Sequence, residues 1–472
     1  MIRFLHAYIP KRTLILGISE ACLVSVALLG SAVVRLGPER TSFMLTHDDG
    51  FLKILFVSVA FLTCMYCFDL YDSAIVSNRR EAVVRLIQVV GVAYIALGLL
   101  YYLYPPMKLG RGVFNIGLLF VGLLLLLWRR LFSAINSTAS LAERVVILGE
   151  GSLAESLIHE IKTRPELGIR IAGRARMPSI EERCDNRDRS EIPLTPLQTC
   201  FSEEYGVGRQ IRGIDRIVVA MEERRGRLPV EVLLALKNHG VRVQDGYDVY
   251  ESITGKVPIE SIRLSWLLFS PGSHSSRLFR IYKRFASVLI SIVGLLLSLP
   301  LIPFVVLAIK LSSPGRVLYS QNRVGRDGVV FRCYKFRTMC SDAEAETGPT
   351  WASRGDPRIT HVGKFLRKTR IDEIPQLLNL LKGDMSLVGP RPERPEFVAA
   401  LSQKIPYYQL RESVRPGITG WAQTLYRYGS SVEDAKEKLC YDLYYIKNKS
   451  VGLDLLIALN TIKTVLLGRG AQ

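Results

Sequence analysis

The chain reads as a three-part membrane protein: a membrane α-helical bundle, an α/β Rossmann-like domain, and a mostly α (α+β) C-terminal domain that opens on a re-entrant membrane helix. Three observations predict this. The mean hydropathy is +0.20 over 472 residues, an unusual value for a wholly soluble chain. Four apolar runs of membrane-spanning length crowd the first 130 residues, and a strand-like run, a glycine turn and an amphipathic stretch follow from residue 144. A fifth uncharged run, 285–309, is interrupted by Pro300 and Pro303.

The bundle occupies residues 1–130. Its runs are 13–34, 51–70, 83–103 and 112–128, each close to the roughly 20 residues that cross about 30 Å of hydrocarbon as a helix. Arg3, Lys11 and Arg12 precede the first run as in a signal peptide, but no A-x-A-like site ends it and further runs follow, so a retained anchor is expected. Arg79, Arg80 and Arg85 separate the second and third runs, and Arg129 and Arg130 follow the fourth. The other loops carry only Arg35, Arg40, Lys53, Lys108 and Arg111. The positive-inside tendency then puts both ends of a multi-pass bundle on the cytoplasmic side. Glu20, inside the first run, is expected to be a paired structural carboxylate.

Charge narrows the partners. With 62 Lys plus Arg against 43 Asp plus Glu, the polar surfaces favour anions such as headgroups, nucleotides or lipid phosphates, while the hydropathy argues against nucleic acid. The eight cysteines are scattered. Cys64 and Cys67 form a C-x-x-C inside an apolar run without a second pair or nearby His, so neither a disulfide framework nor zinc is expected.

The second domain is expected over 143–262. Arg144-Val145-Val146-Ile147-Leu148 reads as a buried strand, and Gly149-Glu150-Gly151-Ser152-Leu153-Ala154 as a G-x-G-x-x-A turn into a helix ending near Lys162. Such a turn lets backbone approach a phosphate. Arg174 and Arg176 stand where a ribose-binding carboxylate would, so tight strand-to-helix packing is the expected role of the glycines, in support of assembly or regulation. Residues 176–189 are polar enough for a mobile loop. A linker is expected over 263–281, where Ser270-Pro271-Gly272-Ser273-His274-Ser275-Ser276 is turn-rich.

The third domain, 282–472, begins with Tyr282-Lys283-Arg284 before the uncharged run 285–309. A plain crossing would put everything downstream outside the cell. A break at Pro300 would instead return the chain to the face it entered. Lys310, Arg316, Arg323, Arg326, Arg332, Lys335 and Arg337 are then opposed only by Asp327, a pattern suited to a surface bearing phosphates. Asp372 and Glu373 follow among Arg367, Lys368 and Arg370. Neighbouring cations favour ionised carboxylates, and an ionised carboxylate can attack phosphorus or hold Mg²⁺ against a diphosphate. Gly383 to Pro392 forms a rigid turn presenting Arg391, whose fork suits a phosphate.

These stretches resemble the catalytic domain of the monotopic polyprenyl-phosphate phosphoglycosyl transferases, the bacterial sugar transferase family. The resemblance rests on Tyr334-Lys335-Phe336-Arg337-Thr338-Met339, Asp372-Glu373-Ile374-Pro375-Gln376, the turn up to Pro390-Arg391-Pro392, and Arg415-Pro416-Gly417-Ile418-Thr419-Gly420-Trp421-Ala422-Gln423. With the bundle and α/β domain included, the chain is similar to long members that initiate exopolysaccharide assembly. The resemblance implies that Asp372 attacks the sugar-bearing phosphate of a UDP-sugar and releases UMP, and that polyprenyl phosphate then takes the sugar phosphate from the enzyme. It implies Mg²⁺ on Glu373 and phosphate contacts from Lys335, Arg337, Arg367 and Arg391. Arg415, Gly417, Thr419 and Gln423 become nucleotide-sugar candidates, and Pro300 the re-entrant turn. The implied partners are a UDP-sugar, polyprenyl phosphate, the lipid bilayer and a second copy in a homodimer. The resemblance also implies the bacterial inner (cytoplasmic) membrane, with the catalytic domain facing the cytoplasm. Ser287 departs from the family's frequent acidic residue, and Leu299 from its frequent Ser before the turn proline. The rival readings are a membrane-tethered nucleotide-sugar oxidoreductase or epimerase, and a non-catalytic membrane scaffold.

Overall fold

Helices form where the apolar runs predict them: α1 (Lys11–Leu36), α3 (Gly50–Cys67), α4 (Arg79–Leu103) and α5 (Arg111–Asn136). A shorter helix not read from the sequence, α2 (Pro38–His47), starts at a proline whose missing N–H a first helical turn does not need. The computed structural model describes residues 2–4, 7–9, 11–71, 79–136, 142–164, 167–175, 214–224, 228–261, 276–340, 356–426, 429 and 431–466. Val24, Leu28, Val57, Phe61, Val121 and Leu125 fill the seam between helices. Outward-facing positions are also apolar, with Phe51 71% and Ile95 70% exposed, a surface that water would not tolerate but hydrocarbon does. Five helices of the described chain are long and apolar enough to cross a membrane, the fifth being Arg277–Ser298. Glu20 pairs with Arg129 (Nε–Oε1 2.7 Å), and Arg85 pairs with Asp69 at 3.1 Å. Arg85 and Arg129, counted for topology, are thus also internal ion-pair partners.

Contacts divide the chain between Gly246 and Tyr247 into two units, apart from a few N-terminal residues. In the first, β1 (Glu143–Leu148), β2 (Ile169–Ala175), β3 (Arg216–Val219) and β4 (Arg242–Asp245) form a parallel sheet of order β2-β1-β3-β4, with helices α6 (Ser152–Thr163) and α7 (Val230–Asn238) between strands. The burial of Val145 to Leu148 agrees with a central parallel strand covered on both faces. The loop expected at 176–189, and residues 263–275 of the expected linker, lie outside the described residues.

The second unit takes in more than the sequence reading gave it. Helix α8 (Gly246–Thr254) from Tyr247 onward and the segment to Ser261 belong to it, upstream of the boundary expected at 262. Lys447 holds both oxygens of Glu251 at 2.9 Å, Trp421 Nε1 donates to Gly255 O at 2.9 Å, and Val257 N donates to Cys440 O at 3.0 Å. The uncharged run forms two helices, α9 (Arg277–Ser298) and α10 (Ile302–Ser312), broken at residues 299–301 around Pro300. A hairpin follows, β5 (Leu318–Val324) with β6 (Val330–Phe336), then α11 (His361–Thr369) and α12 (Gln376–Lys382). Strand β7 (Ser386–Val388) pairs in parallel with β8 (Gly417–Thr419) across α13 (Pro395–Lys404), and α14 (Val432–Asn448) and α15 (Val451–Leu466) supply the buried Leu439, Tyr444, Tyr445 and Leu453.

Both arms of the broken helix rest on this one body. From α9, Arg284 donates to Leu380 O and Leu381 O at 2.7 Å each, closing the C-terminal carbonyls of α12, while Lys283 donates to Val388 O at 2.9 Å. Ser287 Oγ accepts from Leu387 N at 3.1 Å, so the hydroxyl at this departure position ties α9 to β7. From α10, Val305 and Ile309 pack with Phe336 and Leu366. A straight helix over 283–309 would part those ends by about 40 Å.

Candidate active site

The carboxylate pair is placed by two chain reversals. Helix α11 starts at Thr360, whose Oγ1 accepts from Gly363 N at 2.9 Å, and ends at Arg370 with φ +59°. The left-handed residue turns the chain into a single 3₁₀ turn, Ile371–Glu373, and Pro375 then opens α12. The turn buries both side chains, Asp372 at 6% and Glu373 at 9% exposure.

Cations converge on this turn from separate elements. Lys335 on β6 places Nζ 2.9 Å from Glu373 Oε1 and 4.0 Å from Asp372 Oδ2. Arg391, after β7, brings Nη2 to 3.0 Å of Glu373 Oε1, and Arg370 Nη1 lies 3.5 Å from Oε2. Asp372 Oδ1 is buried and accepts no hydrogen bond from the described residues. The strand that carries Lys335 is set by Asn379, a fully buried residue that sequence reasoning missed. Its Oδ1 accepts from Tyr334 N at 3.2 Å and its Nδ2 donates to Arg332 O at 2.7 Å.

The two acids titrate apart. Burial disfavours the charge on Glu373, but Lys335, Arg391 and Arg370 together outweigh it and hold this carboxyl well below the usual range. Burial raises Asp372 against the opposing field of Lys335, with the Glu373 charge adding to the rise. The pair therefore combines a carboxylate held ionised by its cations with a more basic one that has an unpartnered oxygen, a division suited to nucleophilic work.

The remaining expected residues divide between this centre and its supports. Arg367 lies close enough to favour the Asp372 anion, and its Nε donates to Thr338 Oγ1 at 2.9 Å. Arg337 is buried and donates to Ser313 O at 2.6 Å and Pro314 O at 2.8 Å, bracing the exit of α10. Arg415 is exposed. Gly417 and Thr419 lie in β8 beneath the Arg391 turn, where Gly417 N donates to Pro390 O and Gly389 N to Thr419 O, both at 2.9 Å. A Cβ on Gly417 would stand 2.2 Å from Gly389 N, so this strand pair admits no side chain there. Gln423 Nε2 donates to Ile418 O at 3.2 Å. Pro300 sits at the helix break.

Among the described residues no group of three or more His, Cys, Asp or Glu could hold a metal. Asp372 and Glu373 still fit Mg²⁺, an ion that takes one or two carboxylates and completes its shell with water and phosphate oxygens. To hold the ion, Glu373 would exchange a contact with Lys335 or Arg391.

In the α/β domain the helix N-terminus after the glycine turn is already occupied. Glu222 Oε1 accepts from Ser152 N at 2.9 Å and Ser152 Oγ at 3.1 Å, where a phosphate would bind in a dinucleotide site. Arg174 turns back to Gly149 O at 3.2 Å.

The chain matches the model of the bacterial sugar transferase family over residues 278–468 and that of a CoA-binding domain over residues 66–244. It is 45% identical over 227 residues to a UDP-N-acetylgalactosamine-undecaprenyl-phosphate N-acetylgalactosaminephosphotransferase of Aeromonas hydrophila, covering 48% of this chain and 52% of that protein. It is 34% identical over 343 residues to an undecaprenyl-phosphate glucose phosphotransferase of Komagataeibacter xylinus, covering 71% and 61%. An exopolysaccharide production protein PSS of Rhizobium leguminosarum bv. phaseoli is 39% identical over 196 residues, covering 40% of this chain and 98% of its own length. The chain thus spans between half and two thirds of the first two relatives.

Proposed function

The chain belongs to the bacterial sugar transferase family, and from that premise we propose that it transfers a sugar-1-phosphate from a UDP-sugar to polyprenyl phosphate, releasing UMP and initiating exopolysaccharide assembly. The observation that carries the reading is the vacant, buried Asp372 Oδ1 beside a carboxylate already neutralised by Lys335 and Arg391. In the first step Asp372 Oδ1 forms a bond to the sugar-bearing phosphorus as the bond to UMP breaks. In the second, a polyprenyl-phosphate oxygen attacks the same phosphorus and the aspartate leaves, giving polyprenyl-diphosphate-sugar. Lys335 and Arg391 can turn from Glu373 towards the diphosphate, where a charged, partly desolvated clamp stabilises the equatorial oxygens of the transition state. Mg²⁺ held by Glu373 would neutralise the diphosphate as UMP leaves.

The broken helix α9–α10 serves this chemistry as a re-entrant hairpin with its turn at Pro300. Both of its ends lie on the catalytic body, which supports a single face for that body; a UDP-sugar donor would make that face the cytoplasmic one, with Asp372 near the lipid phosphates. The α/β domain supports assembly. A dehydrogenase-type site there is disfavoured by Glu222 in the phosphate position, and a pure scaffold leaves the buried Asp372 oxygen without a purpose.

The test is UMP release by the membrane-embedded protein on a panel of UDP-sugars with polyprenyl phosphate. Asp372→Asn should abolish turnover while the protein stays folded, because an amide cannot act as the nucleophile. Near-normal turnover by this variant would rule out the covalent route.

A further inference from the structure

Arg391 is presented by a turn whose backbone acceptors are held one by one. Lys283 Nζ donates to Val388 O (2.9 Å), Gly417 N to Pro390 O (2.9 Å), Arg411 Nη2 to Arg391 O (2.9 Å), Arg323 Nη1 to Pro392 O (3.0 Å) and Val324 N to Glu393 O (2.9 Å). Three of those five donors are cationic side chains drawn from α9, β5 and the 3₁₀ turn Tyr408–Ser413. Arg411 holds the carbonyl of Arg391 itself.

Arg411 is in turn fixed by buried partners. Its Nη2 lies 3.0 Å from Asp442 Oδ2, its Nη1 donates to Tyr408 OH at 2.6 Å, and the guanidinium lies 5.1 Å from the Tyr408 ring centroid. The Asp442 side chain is 2% exposed and that of Arg411 10%. A buried ion pair contributes little net stability over a well-packed apolar pair. What this one adds is a directional bond: a planar fork clamped to α14 has only one way to meet the Arg391 carbonyl. No motif singled out in the sequence contains Arg411 or Asp442.

We propose that Arg411, clamped by Asp442, is a positioning residue that fixes the Arg391 backbone so that the Arg391 guanidinium meets Glu373 and the substrate diphosphate. The assignment rests on the transferase reading for its effect on rate, and on the backbone contact alone for its effect on the turn. Displacing a phosphate-binding group by about 1 Å costs on the order of 10²-fold in rate.

The experiment uses the full chain in membranes and two forms of the change. Arg411→Met combined with Asp442→Asn removes the pair without leaving a buried charge, and Arg411→Lys keeps the charge but not the fork. The first should lower kcat/KM for the best UDP-sugar on the order of 10²-fold, and the second by less. In an Arg391→Ala background the same pair should cost under about 3-fold more, since a positioning residue has nothing left to position. Hydrogen exchange at 387–393 should rise at least about tenfold in the Met/Asn form while α14 keeps its protection. Fully additive rate losses, or unchanged exchange in the turn, would overturn the assignment. Absence of UMP release by the unaltered protein would instead overturn the transferase reading, and the exchange comparison would then decide the positioning role by itself.

Discussion

Replacing Lys335 with Met should move the acid limb of activity upward. Lys335 Nζ stands 4.0 Å from Asp372 Oδ2. At an effective dielectric near 20, two unit charges at that distance interact by about 4 kcal/mol. The Lys335 side chain is 24% exposed, so solvent screens part of the attraction, and Arg391 and Arg367 still favour the anion. We therefore expect a rise, smaller than the bare attraction would give. The sign follows from the loss of an opposite charge, which disfavours ionised Asp372, already raised by burial. Glu373, relieved of one partner but still held by Arg391 and Arg370, stays ionised and so does not offset the rise. The assay is kcat/KM for the UDP-sugar between about pH 5 and 9, a quantity that in a double displacement contains only steps up to UMP release and reports free-enzyme ionisations. The variant should lose most activity near neutrality and recover part of it as pH rises. An acid limb that stays in place, or moves down, would refute the electrostatic account of the pair.

Other expectations reach beyond the carboxylates. Activity should fall in excess chelator and return with Mg²⁺, and full activity without divalent ions would remove the metal from the reaction. Gly149→Ala should destabilise the α/β domain by more than about 2 kcal/mol, since φ is +128° there and a Cβ would meet Ala220 and Met221 backbone at 2.8 Å. UMP release per folded molecule should change little, and a stable variant with selective loss of turnover would assign the domain a catalytic part. Single cysteines at Ser275 and Ser312, in a background without reactive thiols, should both resist a membrane-impermeant reagent until cells are opened. Labelling of Ser312→Cys alone in intact cells would demonstrate a true crossing.

Much of the architecture was written along the chain. Partition into hydrocarbon depends on local composition over about 20 residues, so the long helices and the break at Pro300 could be read without any knowledge of contacts. The parallel strand before Gly149 was legible for a similar reason, because a strand covered on both faces is a continuous apolar run. The acidic pair itself was visible as two carboxylates among cations. Which cations serve it was not. Lys335 and Arg337 are two residues apart and would share a strand face, yet β6 ends at Phe336, so Arg337 leaves the pleat and turns to the Ser313 and Pro314 carbonyls. Gly417 and Thr419 belong to a motif, but backbone pairing beneath the Arg391 turn explains their residue types. Asn379 and Arg411 carry neither periodicity nor motif. Their roles exist only where β6 meets α12 and where the Tyr408–Ser413 turn meets the Arg391 carbonyl. The sequence by itself determined which segments are long and apolar enough to enter lipid and which residues bring charge. Tertiary structure decided which charges meet, because hydrogen bonds and short-range electrostatics depend on distances of a few ångströms between residues far apart in the chain.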